Sequence, residues 1–145
     1  MKILALDIEG TLISNAVSIF PRNDLYKFLE YVNTKFDRIV IMTCLEERKF
    51  REVANILCKN QEAPSWFENL EYIHWKIFQT VDWYSSQPEL YKSLKFIDED
   101  ISNSWIIEDM GKYICPGEES QWIPIKSFER PYKKDKEFKR IMKII

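Results

Sequence analysis

The run Lys2-Ile3-Leu4-Ala5-Leu6-Asp7-Ile8-Glu9-Gly10-Thr11-Leu12 constrains this chain more than any other stretch. Its apolar residues read as a buried strand, and the strand ends at two acids on alternate positions. Strand side chains alternate between faces, so Asp7 and Glu9 are expected to point the same way from the carboxyl end. In an open parallel sheet, that end borders the crevice where ligands bind. Gly10 allows a sharp turn, and Thr11 offers a hydroxyl and an amide. Two close carboxylates repel unless a cation or a shared proton intervenes. The pattern therefore predicts a site for Mg²⁺ and phosphate. A strand end with two solvated acids would look the same over so short a stretch, so the rest of the chain has to decide.

With 145 residues, 46% of them hydrophobic and 30% charged, the chain has the length and make-up of a single globular domain. The net charge of −2 supplies no global field toward nucleic acid or membrane. Nucleic acid is therefore possible as a partner but not indicated by charge. No apolar run approaches spanning length, and the start lacks a basic-then-apolar leader pattern, so a soluble cytoplasmic protein without membrane association is expected. Cys44, Cys58 and Cys115 are odd in number and lack CxxC spacing. Reduced thiols fit that pattern, and a zinc site does not, with only His74 to assist.

After the first strand, Leu25, Phe28, Leu29 and Val32 fall at helical spacing, in a helix opened by Pro21 to Asn23. Arg38 to Thr43 reads as a second strand, apolar as a doubly covered parallel strand should be. A helix from about Glu46 to Lys59 follows, burying Phe50, Val53, Ala54 and Leu57. Strand, helix, strand, helix is the signature of an α/β fold with right-handed crossovers. From 60 to 88 the chain turns aromatic, with Trp66, Phe67, Tyr72, Trp75, Phe78, Trp83 and Tyr84. This segment is an insertion near the site, too short for a domain of its own, with Tyr72 to Val81 as a possible strand. A helix is expected around Pro88 to Ile97, with Leu90, Leu94 and Ile97 inward. Ser104 to Asp109 reads as a third long strand, again ending in two acids. Gln121 to Ile125 reads as an edge strand, where Pro124 is tolerated. A packing helix from about Lys134 closes the chain through Phe138, Ile141, Met142 and Ile145.

The strand order would bring Asp7 with Glu9, Thr43, Lys92, and Glu108 with Asp109 to one sheet edge. A carboxylate such as Asp7 can attack phosphorus and form an acyl-phosphate that water hydrolyses. Glu9 can protonate the leaving oxygen and then activate that water. Mg²⁺ takes hard oxygen ligands, for which Asp7 plus Glu108 or Asp109 and a backbone carbonyl suffice. Lys92 and the Thr43 hydroxyl would hold phosphoryl oxygens, with Lys95 as the alternative lysine. A thiol-nucleophile phosphatase is excluded: where its loop requires an arginine after the cysteine, Phe50, Pro64 and Gln121 stand instead. Three glycines cannot build a glycine-rich nucleotide loop. The lysine-rich run from Arg130 to Arg140 reads most simply as a solvated helix face, and His74 as a packed or exposed residue. A response-regulator receiver shares acids, Thr and Lys at strand ends, but its helix order differs.

Asp7-Ile8-Glu9-Gly10-Thr11-Leu12 resembles the first motif of the haloacid dehalogenase (HAD) superfamily, the aspartate-nucleophile phosphatases. Phe20-Pro21-Arg22 through Leu29, then Phe36 through Thr43, resembles the NIF-like branch, which includes the small phosphatases of the RNA polymerase II carboxy-terminal domain. Tyr91-Lys92-Ser93-Leu94, Asp100-Ile101, Trp105 to Asp109 and Pro116 to Phe128 are similar to that branch's later motifs. The resemblance covers nearly the whole chain outside 60–88. It implies a three-layer Rossmann-like HAD fold with a central parallel sheet and little or no cap. It further implies Asp7 as nucleophile and Glu9 as acid/base. Thr11, Thr43 and Lys92 would be phosphate ligands, with metal at Asp7, the Glu9 carbonyl and Glu108 or Asp109. Glu9 is one methylene longer than the family's aspartate, and Glu108-Asp109 replaces its Asp-Asp or Asp-Asn. The expected function is thus a Mg²⁺-dependent phosphatase acting on a phosphorylated protein segment or a small phosphomonoester. The displaced Glu9 supports the alternative, a catalytically weak member that binds a phospho-ligand or a protein.

Overall fold

The computed structural model describes residues 1–76 and 90–145. Five strands form one all-parallel sheet: β1 (Ile3–Leu6), β2 (Arg38–Ile41), β3 (Glu71–Tyr72), β4 (Ser104–Glu108) and β5 (Trp122–Pro124). Their order across the sheet is β3-β2-β1-β4-β5. β1 is central, in register with β2 from Ile3↔Arg38 to Leu6↔Ile41 and with β4 from Ile3↔Ser104 to Leu6↔Ile107. The chain leaves β1 toward one side and returns as β4 on the other, so the strand order reverses between them. Side-chain-lined crevices form at such a switch point, outside the carboxyl ends of the two strands.

The alternating faces of β1 and β2 feed two cores. Leu4, Leu6, Ile39 and Ile41 face one side with α1 (Leu25–Lys35), α2 (Glu47–Lys59) and α3 (Glu137–Ile144). Phe28 of α1 stacks on Phe138 of α3 with centroids 4.0 Å apart and planes 4° from parallel. Ala5, Val40, Met42 and Ile106 face the other side with Ile73, Trp75, Leu94 and Ile114. Among the described residues, that second layer is built from loops and short 3₁₀ turns rather than α-helix. The α/β Rossmann-like architecture expected from the sequence is present.

Several boundaries differ, each where side chains are needed for other bonds. α1 starts at Leu25 rather than in the Pro21–Asn23 turn, because Asp24 takes a left-handed backbone (φ 68°) and Arg22 and Asn23 anchor distant loops. β3 is limited to Glu71–Tyr72; of the strand expected from Tyr72 to Val81, residues 77–81 lie outside the described residues, as do Phe78, Trp83 and Tyr84. In place of a helix up to Ile97, the described part of that stretch holds only a 3₁₀ turn, Leu94–Phe96. Leu94 is buried but Leu90 is exposed. The backbone is extended ahead of that turn because the Lys92 amide bonds the Tyr113 carbonyl (2.8 Å), while buried Glu118 takes the Ser93 hydroxyl (2.6 Å) and the Leu94 amide (2.7 Å). α3 begins at Glu137 because Tyr132–Lys134 form a 3₁₀ turn and Asp135 pairs with Arg22. β5 is an edge strand carrying Pro124, as expected.

Candidate active site

Asp7 follows the last residue of β1, Glu108 is the last residue of β4 and Asp109 follows it, so the parallel register brings the three acids to the switch point. The Asp7 carboxylate is almost fully buried and held at both oxygens. Thr11 Oγ1 donates to Oδ2 at 2.9 Å, and Lys92 Nζ donates to Oδ1 at 2.9 Å. Lys92, 1% exposed, also donates to Glu108 Oε1 at 2.5 Å. Asp109 Oδ2 accepts from Ser127 Oγ at 2.5 Å. Gly10 makes this packing possible. Its φ of +77° suits glycine, and a Cβ there would sit 2.3 Å from Asp109 Oδ2.

Asp7, Thr11, Lys92, Glu108 and Asp109 are therefore brought together. Thr43 ends buried just beyond β2, where its hydroxyl accepts the Leu45 amide at 3.2 Å. Glu9 lies past the end of β1, and its carboxylate accepts the Ala16 amide at 2.8 Å instead of joining the other acids. Lys95 lies in the 3₁₀ turn after Lys92.

Three side chains of the site were not legible in the sequence. Trp75 donates Nε1 to the Thr43 carbonyl at 2.7 Å, and its ring lies 5.6 Å from Lys92 Nζ. Tyr113 covers another side of the same ammonium at 4.8 Å, so Lys92 stands between aromatic walls and carboxylates. Arg22, buried under Phe128 and Phe138, donates to the carbonyls of Gly10 and Thr11 (both 3.1 Å) and of Lys126 (2.6 Å). It also forms a two-pronged pair with Asp135 at 2.9 and 2.7 Å. The fork of the guanidinium thus fixes the loop that carries Thr11. Within the sequence, Trp75 was one aromatic of a cluster and Arg22 one residue of a resembling motif.

The charges show what the cluster lacks. Burial pushes the Asp7 carboxyl above its ordinary range, against the pull of Lys92. Burial, then the charge of Asp7, pushes Glu108 up to about 9. Burial also opposes the charge on Lys92, but Asp7 and Glu108 outweigh it and Lys92 stays protonated. Burial works against ionised Asp109 too, yet its hydrogen bonds with Glu108 and Ser127 keep it below the usual carboxylate range. Three carboxyl groups share one ammonium, and burial holds Asp7 and Glu108 toward their protonated forms, so the cluster reaches its full negative charge only beside a further cation. Asp7, Glu108 and Asp109 each offer an oxygen within 4.8 Å of the others, a hard-oxygen donor set that suits a divalent cation.

A prediction follows from the sign of the Glu108 shift. A carboxyl raised to about 9 in the folded protein keeps its proton while that of the unfolded chain ionises above 4.5, so stability falls as pH rises from 4.5 toward about 9. In chelator-treated protein, Glu108→Gln should therefore gain stability over the parent as pH rises across this window. Thermal unfolding of both proteins at several pH values checks it, and parallel responses would contradict it.

A parallel sheet flanked by helices, with an acid–lysine cluster at its switch point, defines an α/β protein of Rossmann-like class. The chain belongs to the NLI interacting factor-like phosphatase family, whose model matches residues 2–145, within the HAD-like carboxy-terminal-domain phosphatase branch. No curated protein sequence matches it significantly. No described helix is long and apolar enough to cross a membrane.

Proposed function

We propose that the chain is a Mg²⁺-dependent phosphomonoester hydrolase that works through an aspartyl-phosphate on Asp7. The observation that carries this reading is the buried Asp7 carboxylate, oriented at one oxygen by Thr11 and at the other by Lys92. Asp7 attacks phosphorus as the bond to the leaving oxygen breaks, and Glu9 delivers a proton to that oxygen. Water then attacks the same phosphorus, Glu9 takes its proton, and inorganic phosphate leaves with the Asp7 carboxylate restored. Lys92 and the Thr43 hydroxyl stabilise the charge spread over the phosphoryl oxygens. Asp7, the Glu9 carbonyl, Asp109 and Glu108 are the groups that would hold Mg²⁺, which supplies Lewis-acid neutralisation of phosphoryl charge. Neither the connection from β1 to α1 nor the 60–88 segment is long enough for a large cap, which favours a substrate able to cover the site itself. A phosphorylated protein segment fits that description.

The position of Glu9 favours a second reading. Its carboxylate is bonded to the Ala16 amide and must exchange that bond for the leaving oxygen. A chain unable to do so would bind phosphorylated ligands and turn them over poorly. Hydrolysis of para-nitrophenyl phosphate, with and without Mg²⁺, separates the two. The hydrolase reading expects Mg²⁺-dependent release that Asp7→Asn abolishes and Glu9→Asp leaves level or lowers. A marked gain of turnover in Glu9→Asp would favour the weak binding module.

A further inference from the structure

Charge is unevenly placed along this chain. Residues 126–143 carry a net +5, whereas residues 1–125 carry −7. Lys126, Arg130, Lys133, Lys134 and Lys136 are exposed, and none of them enters an ion pair among the described residues. The loop that bears them is fastened to the rim of the candidate site at several points. Ser127 Oγ holds Asp109, the Phe128 amide donates to the Gly10 carbonyl (2.8 Å), and the Tyr132 carbonyl accepts from Asn23 Nδ2 (2.6 Å). Both ends of the loop meet on Arg22, through the Lys126 carbonyl and the Asp135 carboxylate. Its own aromatic rings are spent on packing, Phe128 against Tyr132 with centroids 4.5 Å apart.

We infer that the 126–136 loop is a docking surface for the acidic flank of a phosphorylated protein segment. The inference rests on the phosphatase reading for where the phosphate lies. From there an extended peptide advances about 3.3–3.6 Å per residue, so acids within a few positions of the phosphorylated residue run along the rim to which the loop is fastened through Asp109 and Gly10. A loop already pinned loses little freedom on binding, which leaves more of the charge attraction as affinity. A protein segment is favoured over nucleic acid for two reasons. The rest of the molecule is acidic and repels a long uniform polyanion. The loop also leaves no aromatic face of its own free for base stacking.

The test compares the parent with Arg130→Ala/Lys133→Ala/Lys134→Ala, none of which contributes a side chain to the acid–lysine cluster. Substrates are a phosphoserine peptide flanked by glutamates, the same peptide with glutamines, and para-nitrophenyl phosphate. The parent should prefer the acidic peptide in kcat/KM by about tenfold, and the preference should vanish in the triple variant and in high salt. Para-nitrophenyl phosphate turnover should stay within about twofold. Equal kcat/KM for both peptides in the parent, or a preference that survives in the triple variant, would overturn the inference. So would stronger competition from a single-stranded oligonucleotide than from the acidic peptide. If the folded parent turns over none of the substrates, the phosphatase reading fails, and fluorescence anisotropy of the two labelled peptides decides docking alone. Tighter binding of the acidic peptide that the triple variant loses supports the surface, and equal binding removes it.

Discussion

On the proposed mechanism, replacing Lys92 with methionine should lower turnover of para-nitrophenyl phosphate by at least about 10²-fold and destabilise the fold by about 3–5 kcal/mol. Lys92 is 1% exposed, and its ammonium is shared between Asp7 and Glu108 at 2.9 and 2.5 Å. Methionine keeps most of the volume beside Trp75 and Tyr113 but removes the ammonium that Asp7 and Glu108 share, leaving two buried carboxyl groups without their common donor. Breaking one side of a buried ion cluster costs far more than removing a surface pair, because the remaining charges stay desolvated. In turnover, the proposed mechanism would lose a fixed cation beside the developing phosphoryl charge. Denaturant unfolding in chelator and steady-state kinetics with Mg²⁺ measure the two effects. A distinguishing sign is metal affinity, which should rise in Lys92→Met because the site has gained net negative charge. Unchanged stability together with unchanged affinity would mean that Lys92 does not bridge the acids.

The second large effect is expected at Arg22, which touches no reacting group. Arg22→Met leaves the carbonyls of Gly10, Thr11 and Lys126 and the Asp135 carboxylate without their donor, at a cost of about 3–5 kcal/mol. Arg22→Lys keeps the charge but not the fork, so it should recover part of the stability and little of the turnover. Loosening the Gly10–Thr11 loop displaces the hydroxyl that orients Asp7, and small displacements of a reacting group cost rate steeply. The fall should appear in kcat with KM nearly unchanged. A variant with parental kcat at a temperature where it remains folded would show that Arg22 serves stability alone.

How far the sequence carried depended on whether the partners of a residue were near in the chain or dictated by periodicity. The apolar runs from Ile3 to Leu6 and from Ile39 to Ile41 and the helical spacing of Phe50, Val53, Ala54 and Leu57 each report local geometry, and two strands and a helix are found there, the second strand ending at Ile41 rather than Thr43. The acids at the ends of β1 and β4 were legible because parallel register brings equivalent ends together. Lys92 stood out only through spacing and resemblance. Among the described residues the expected helix around it is absent, because tertiary bonds to Tyr113 and Glu118 override local propensity. Trp75 and Arg22 were missed for the same reason. Trp75 bonds a carbonyl 32 residues away, and Arg22 pairs with a carboxylate 113 residues away, so no local pattern marks either.

The central claim is that Asp7 carries the phosphoryl group during turnover. The most direct measurement is acid quenching of the protein during hydrolysis of a phosphomonoester with Mg²⁺, followed by peptide mass spectrometry. One phosphoryl group should be found on the peptide containing Asp7, and none in Asp7→Asn. Steady Mg²⁺-dependent turnover with no phosphoryl group on that peptide, or with the group on another side chain, would contradict the account.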